Sequence, residues 1–315
     1  MMRKLLVLLS LLLVSTNGFT EPLRVFTSVI PIKTFVQKVG GEHVEVREMV
    51  RPGFNPHTYD PTPQQISALA DTALYVRTGV PFEKAWMKRI HSANPDMQIL
   101  DARDGLTLRK MEAHSHGEHE HHEDHEDHED HADHKKHKEH EKDKHHDDHE
   151  KHAHEQDSHV WVDPVLVGKM IGKIRDKLSE LDPENAADYA RNHDSFLAEL
   201  KTLDQELNEL LKPLPNRKFM VFHPAWGYFA ERYRLVQIPI EHQGKEPGAR
   251  RIASLIEEAQ QEQIRVIFVQ PQFDKSQAGR VAKAIDGAVI AVDPLAANYV
   301  ENLRRVGKEF AQVLK

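Results

Sequence analysis

From Glu184 to Leu211 the chain runs 28 residues without a glycine or a proline. Apolar residues fall at Phe196, Leu197, Leu200, Leu203, Leu207, Leu210 and Leu211, the spacing of one helical face. At 1.5 Å of rise per residue such a helix is about 40 Å long, longer than a small domain is wide. Asp182-Pro183 separates it from the pattern before it. In a chain of 315 residues, a helix of this length serves best as a strut with folded material at both ends. The expected organisation is a first lobe over 19–182, a linking helix over 183–212 and a second lobe over 213–315.

Both flanks carry the same alternation. Before the strut, β-rich runs at Leu23–Val29, His43–Val50, Thr72–Thr78 and Met97–Asp101 alternate with helical patterns at Ile32–Val39, Pro63–Ala70 and Phe82–His91. Val165–Leu181 is helical. After the strut, strands are expected at Phe219–Phe222, Val236–Ile240, Val266–Gln270 and Ala288–Val292. Helices are expected at Ala225–Tyr233, Ala249–Glu262, Gln277–Ile285 and Tyr299–Leu314. Strands alternating with helices imply an α/β fold in which each lobe has a mostly parallel sheet flanked by helices.

Two segments stand outside this pattern. The first is the N-terminus, where Arg3 and Lys4 precede the apolar run Leu5–Val14 and then small polar residues. That is a secretory signal, too short to span a bilayer, with cleavage expected near residues 18–20 and 1–18 removed. With no cysteine anywhere, the exported chain has neither disulfides nor a residue to lipidate at the junction. A soluble periplasmic protein is expected, not a lipoprotein.

The second is 113–157, which can form no core and is expected to be a disordered insert in the first lobe. It holds sixteen of the 23 histidines, among them His116, His119, His121, His122, His125, His128, His131, His134, His137 and His140. Between 114 and 154, seven Asp and eight Glu against six Lys give −9, so the remainder of a chain of net −8 is +1. A near-neutral body offers no basic face for nucleic acid. Many imidazoles on a flexible chain bind several ions weakly, because ordering the chain opposes each one. The segment is therefore expected to collect metal or to sense its excess.

Seven histidines lie elsewhere. His43, His91, His193 and His242 sit where solvated or hydrogen-bonded side chains are ordinary. His159, in DSHVWVDP, sits where the insert ends and a helix begins, whereas His57, in RPGFNPHTYDPTP, lies in a Pro-rich loop directly after a strand and His223, in FMVFHPAWGYF, at the C-terminal end of an apolar strand. Open α/β sheets bind ligands there. Asp293, in AVIAVDPLAANY, follows the last strand. Three imidazoles and a carboxylate suit four-coordinate Zn²⁺, and imidazole favours Zn²⁺ over Mn²⁺. The same His-Pro and Asp-Pro pairs are also ordinary turn and helix-start signals, and spacing alone leaves both readings open.

RPGFNPHTYDPTP, DSHVWVDP, FHPAWGYFA, IEHQGKEPGA and AVDPLAANY, in this order, resemble the metal-specific class of periplasmic solute-binding proteins of ABC importers, and its zinc-binding branch most. The likeness runs from Leu23 to Lys315. It implies two lobes joined by a long rigid helix, with metal in the cleft between them. It carries the ligand roles to His57, His159, His223 and Asp293, with the His-rich insert in its usual place before the second ligand. His223 stands where manganese-type relatives have Glu. The chain lacks the second-lobe disulfide of some zinc members, and Pro56 stands where some have a Glu beside the first histidine. The implied function is capture of one tightly held Zn²⁺ by a monomer, without catalysis and without membrane insertion of the mature chain. Delivery would be to an ABC permease and, through it, an ATPase, with affinity falling as imidazoles protonate near pH 6.5. A manganese or iron carrier, a zinc hydrolase and a stand-alone metal buffer are the competing expectations. No HExxH motif supports the hydrolase.

Overall fold

The structure, a computed structural model, describes residues 21–111, 156–241 and 247–315. The first sheet consists of β1 (Leu23–Thr27), β2 (Val44–Glu48), β3 (Leu74–Arg77) and β4 (Gln98–Asp101), in the order β2-β1-β3-β4. The second consists of β5 (Lys218–Val221), β6 (Val236–Pro239), β7 (Val266–Val269) and β8 (Ala288–Ala291), in the order β6-β5-β7-β8. Every pairing among these eight strands is parallel. The central strands read as short continuous apolar runs, as strands covered on both faces must.

In the first lobe α1 (Ile30–Gly40), α2 (Pro63–Ser67) and α3 (Pro81–Ala93) connect the strands. A capping box made by Thr62 and Gln65 opens α2. In α4 (Pro164–Leu181) and α3 a proline occupies the first turn, where its missing N–H costs nothing. Asp163 caps α4, accepting from Val165 N at 2.7 Å. The second lobe has α6 (Gly227–Tyr233), α7 (Ala249–Gln261), α8 (Lys275–Ala284) and α9 (Tyr299–Val313).

The strut is α5, Ala186–Leu211, 26 residues long. It starts two residues later than its sequence pattern because Pro183–Asn185 form a 3₁₀ turn first. It packs on α1 and α4 at one end and on α6 and α9 at the other. Phe196 meets Phe35 of α1 with ring centroids 6.0 Å apart, and Asp204 pairs with Arg232 of α6. Gly307 lets α9 approach closely, since a Cβ there would overlap the Leu207 side chain. One apolar core therefore runs from the first sheet across α5 into α6 and α9, while a second lies on the far side of the second sheet under α7 and α8.

Phe310 on α9 joins these parts. Its ring lies 4.4 Å from that of Phe268, 4.7 Å from Phe219 and 5.5 Å from Phe229, and it is fully buried. Phe310→Ala should cost about 3–5 kcal/mol of stability, seen as a lowered urea midpoint with the slope unchanged.

Candidate metal centre

Three of the sequence-selected side chains meet at the carboxyl ends of the strands. His57 lies in the loop after β2. Its N–H donates to Asn55 Oδ1 at 2.9 Å, and Phe82 N at the start of α3 donates to Pro56 O at 3.3 Å. The loop is thus held by its own Asx turn and by a helix N-terminus. His159 precedes the 3₁₀ turn Val160–Val162, and Trp161 Nε1 donates to Pro294 O of the second lobe at 2.8 Å.

His223 lies two residues beyond β5. The β5–β6 register pairs Val221 with Pro239, and β5–β7 pairs Val221 with Phe268. Carried two residues further, these registers set His223 abreast of Glu241 on one side and Gln270 on the other. His223 Nδ1 meets Glu241 Oε1 at 2.6 Å, and Gln270 Nε2 donates to His223 O at 2.6 Å. The histidine occupies the switch point of the second sheet, where the connections diverge to opposite sides.

The imidazoles of His57, His159 and His223 offer nitrogens all within 4.8 Å of one another. His223 Nε2 and His159 Nε2 stand 3.3 Å apart. Two nitrogens at 2.0–2.1 Å from a tetrahedral ion would be separated by about 3.3–3.4 Å. His159 Nδ1 meets Asp157 Oδ1 at 2.8 Å, as His223 Nδ1 meets Glu241. These carboxylates hold the ring protons on Nδ1, so two Nε2 lone pairs face each other. His57 Nε2 is buried without a hydrogen-bond partner. Two facing lone pairs beside a third, unpartnered imidazole in a buried space suit a cation.

That space is about 20 Å³, enough for a single ion or water. Trp161, Phe273 and Leu295 help to wall it, with Phe273 stacked on His223 at 4.8 Å between centroids. It admits no sugar or amino acid. Burial, reinforced by the neighbouring imidazoles, lowers the pKa of His57 from 6.5 to about 3 and that of His223 well below 6.5. Both rings are therefore neutral, as ligands must be.

Asp293 does not join this group. Its Oδ1 accepts from Leu295 N and from Gln272 Nε2, both at 2.9 Å. It closes the turn after β8, the ordinary use of an aspartate before Pro. The ten insert histidines from His116 to His140 lie outside the described residues, as does His242. His43 bonds Asp188 at 2.9 Å, and His193 bonds Asp194 at 2.9 Å.

Asp157 and Glu241 are functional groups that the residue patterns left unmarked. Glu241 was within reach, since the strands expected at Phe219–Phe222 and Val236–Ile240 end directly before His223 and Glu241.

Two α/β lobes with a buried three-imidazole centre between them define a metal-binding protein of the solute-binding class. The family model described as "Zinc-uptake complex component A periplasmic" matches residues 25–313, and the chain belongs to this ZnuA family. It is 36% identical over 304 residues to the high-affinity zinc uptake system protein ZnuA of Paracoccus denitrificans, covering 92% of this chain and 91% of that one. With the Bacillus subtilis ZnuA it shares 28% identity over 279 residues, 86% of this chain and 76% of that protein. It also matches the zinc-binding lipoprotein AdcA of Streptococcus pneumoniae, at 25% identity, but spans only 54% of its length. A crystal structure of a ZnuA deletion mutant with zinc bound superposes with a TM-score of 0.79 at 34% identity, over 94% of this chain and 99% of that one. Among the described residues no helix is long and apolar enough to cross a membrane.

The depressed pKa values set an acid limit for the metal-free protein. Between pH 6.5 and about 3, unfolded His57 binds a proton that the native ring refuses. The contribution is full above 6.5 and is lost as pH falls toward about 3. The metal-free melting temperature should drop over this window, and His57→Gln should flatten that part of the profile.

Proposed function

We propose that this chain captures Zn²⁺ in the periplasm and delivers it to an ABC permease driven by an ATPase. The observation that carries the reading is the pair of carboxylate-held imidazoles with Nε2 atoms 3.3 Å apart, a separation that fits a tetrahedral ion. His57, His159 and His223 serve as ligands, with the fourth position left to a solvent molecule. An all-imidazole set favours zinc over manganese or iron. Zinc uptake by the Paracoccus relative supports the same cargo.

Binding rather than catalysis is supported by the carboxylates nearby. Asp157 and Glu241 engage imidazoles, and Asp293 engages Gln272 and Leu295, so each is already committed. A general base facing a metal-bound water would need one of them to be released. We read 1–18 as a removed signal, and the mature chain as a soluble periplasmic monomer without a lipid anchor. The boundaries 19–182, 183–212 and 213–315 remain the proposed domain division. The segment 114–154 acts as an auxiliary collector or sensor, a reading supported by its composition.

Isothermal titration should find one tight Zn²⁺ and several weak ones in the mature chain. Deleting 114–154 should remove the weak ions and keep the tight one, and His223→Ala in that shortened chain should abolish it. A tight ion that survives His223→Ala would reject the ligand set. Because burial keeps His57 and His223 neutral well below pH 6.5, affinity should fall less steeply from about pH 7 to about pH 5 than for a solvated imidazole chelate. Glu241→Gln, which leaves a weaker acceptor at His223 Nδ1, should weaken Zn²⁺ binding about 10- to 100-fold in chelator competition.

A further inference from the structure

The carboxylate behind His159 has a second neighbour. Asp157 is fully buried, and its Oδ1 accepts both the ring Nδ1 and the backbone N of His159, at 2.8 and 3.0 Å. Its Oδ2 faces Arg109 Nη1 at 3.3 Å. Arg109 sits where the chain leaves the first lobe toward 112–155, and Asp157 where it returns.

Arg109 is seated by the second lobe. Its N–H donates to Tyr228 Oη of α6 at 3.1 Å, and that hydroxyl donates to Asp157 O at 3.0 Å. Asp157 N donates to Arg109 O at 3.0 Å. The guanidinium lies 5.7 Å from the centroid of the Tyr228 ring and 3.5 Å from Glu231 Oε2. It rests against Gly227, the first residue of α6, where any Cβ would overlap Nη1. One hydroxyl of α6 thus clasps both arms of the excursion, and one guanidinium fixes the plane of the carboxylate that orients a ligand.

We propose that Arg109 is a positioning residue for the metal centre: seated on α6 by Tyr228 and Gly227, it acts through Asp157 to aim His159. The proposal rests on His159 being a ligand. A buried carboxylate stripped of its cation loses its fixed orientation, and with it the donor geometry at His159 Nδ1. The competence of a first-lobe ligand is therefore set by a helix of the second lobe.

The test uses the full mature chain at one equivalent of metal. Zn²⁺ affinity is read against a chromophoric chelator, and the visible d–d bands of Co²⁺ report coordination geometry. Arg109→Ala removes the guanidinium. Gly227→Ala keeps every functional group and sets a Cβ where Arg109 Nη1 lies, 3.0 Å from Asp157 Oδ2, so it breaks the same contact even if Arg109→Ala fails to fold. Each variant should weaken the tight ion about 10- to 100-fold and change the Co²⁺ bands. The double variant should be no weaker than the worse single, since both act through one guanidinium. Arg109→Lys should recover part of the affinity. Wild-type affinity and an unchanged Co²⁺ spectrum in Gly227→Ala would overturn the proposal, as would fully additive losses. If His159→Ala also keeps the tight ion, the ligand assignment itself has failed. If His159→Ala loses the ion while Gly227→Ala is silent, only the positioning role has.

Discussion

The centre depends on two short hydrogen bonds that never touch its interior. Asp157 on His159 Nδ1 and Glu241 on His223 Nδ1 decide where the ring protons sit. Without them each imidazole would choose its tautomer freely, and one ring could satisfy the other by donating Nε2–H across the 3.3 Å gap. That would close the site by itself. With both protons held outside, the gap contains only lone pairs, and the protein carries a local repulsion that an incoming cation relieves. The negative charge of the two carboxylates also raises the basicity of the rings that face the ion.

Such an arrangement needs a frame that does not yield to the repulsion. The two sheets supply it separately. In the second lobe, parallel register alone sets Glu241, His223 and Gln270 abreast. In the first lobe the equivalent switch point is filled by Glu83, fully buried and accepting from Ser28 Oγ and from Thr78 N and Gly79 N. That network closes the first sheet's own crevice and fixes the start of α3, which in turn holds the His57 loop through Pro56 O. The continuous core over α5 then keeps the two frames in a common register.

Much of this was legible in the chain itself. The repeated alternation of strands and helices gave the two parallel sheets, and the long helix with no Gly or Pro gave the strut. Loops at strand ends singled out His57 and His223, the junction of the insert with the next helix singled out His159, and these three imidazoles meet in space. Asp293 obeyed the same strand-end rule and stayed in its turn, because an Asp side chain before Pro also has a local backbone partner within reach. Sequence position cannot tell which of those two partners wins. Asp157 and Glu241 escaped notice for a related reason: periodicity finds faces and ends, whereas their role comes from register between strands and from the antiparallel bridge of Lys110 to Gln156. Arg109 was further still, since its seat is a glycine in the other lobe.

The cavity of about 20 Å³ has a kinetic side as well as a selective one. A metal ion in water carries a shell of six or so molecules, far larger than this space, so an ion reaches the three nitrogens only after surrendering nearly all of it. Loading is then governed by how readily an aquo ion exchanges its water. Mg²⁺, which gives up its water reluctantly, is disfavoured at this step. The aromatic and prolyl walls that keep the imidazoles neutral are in this sense also a clock.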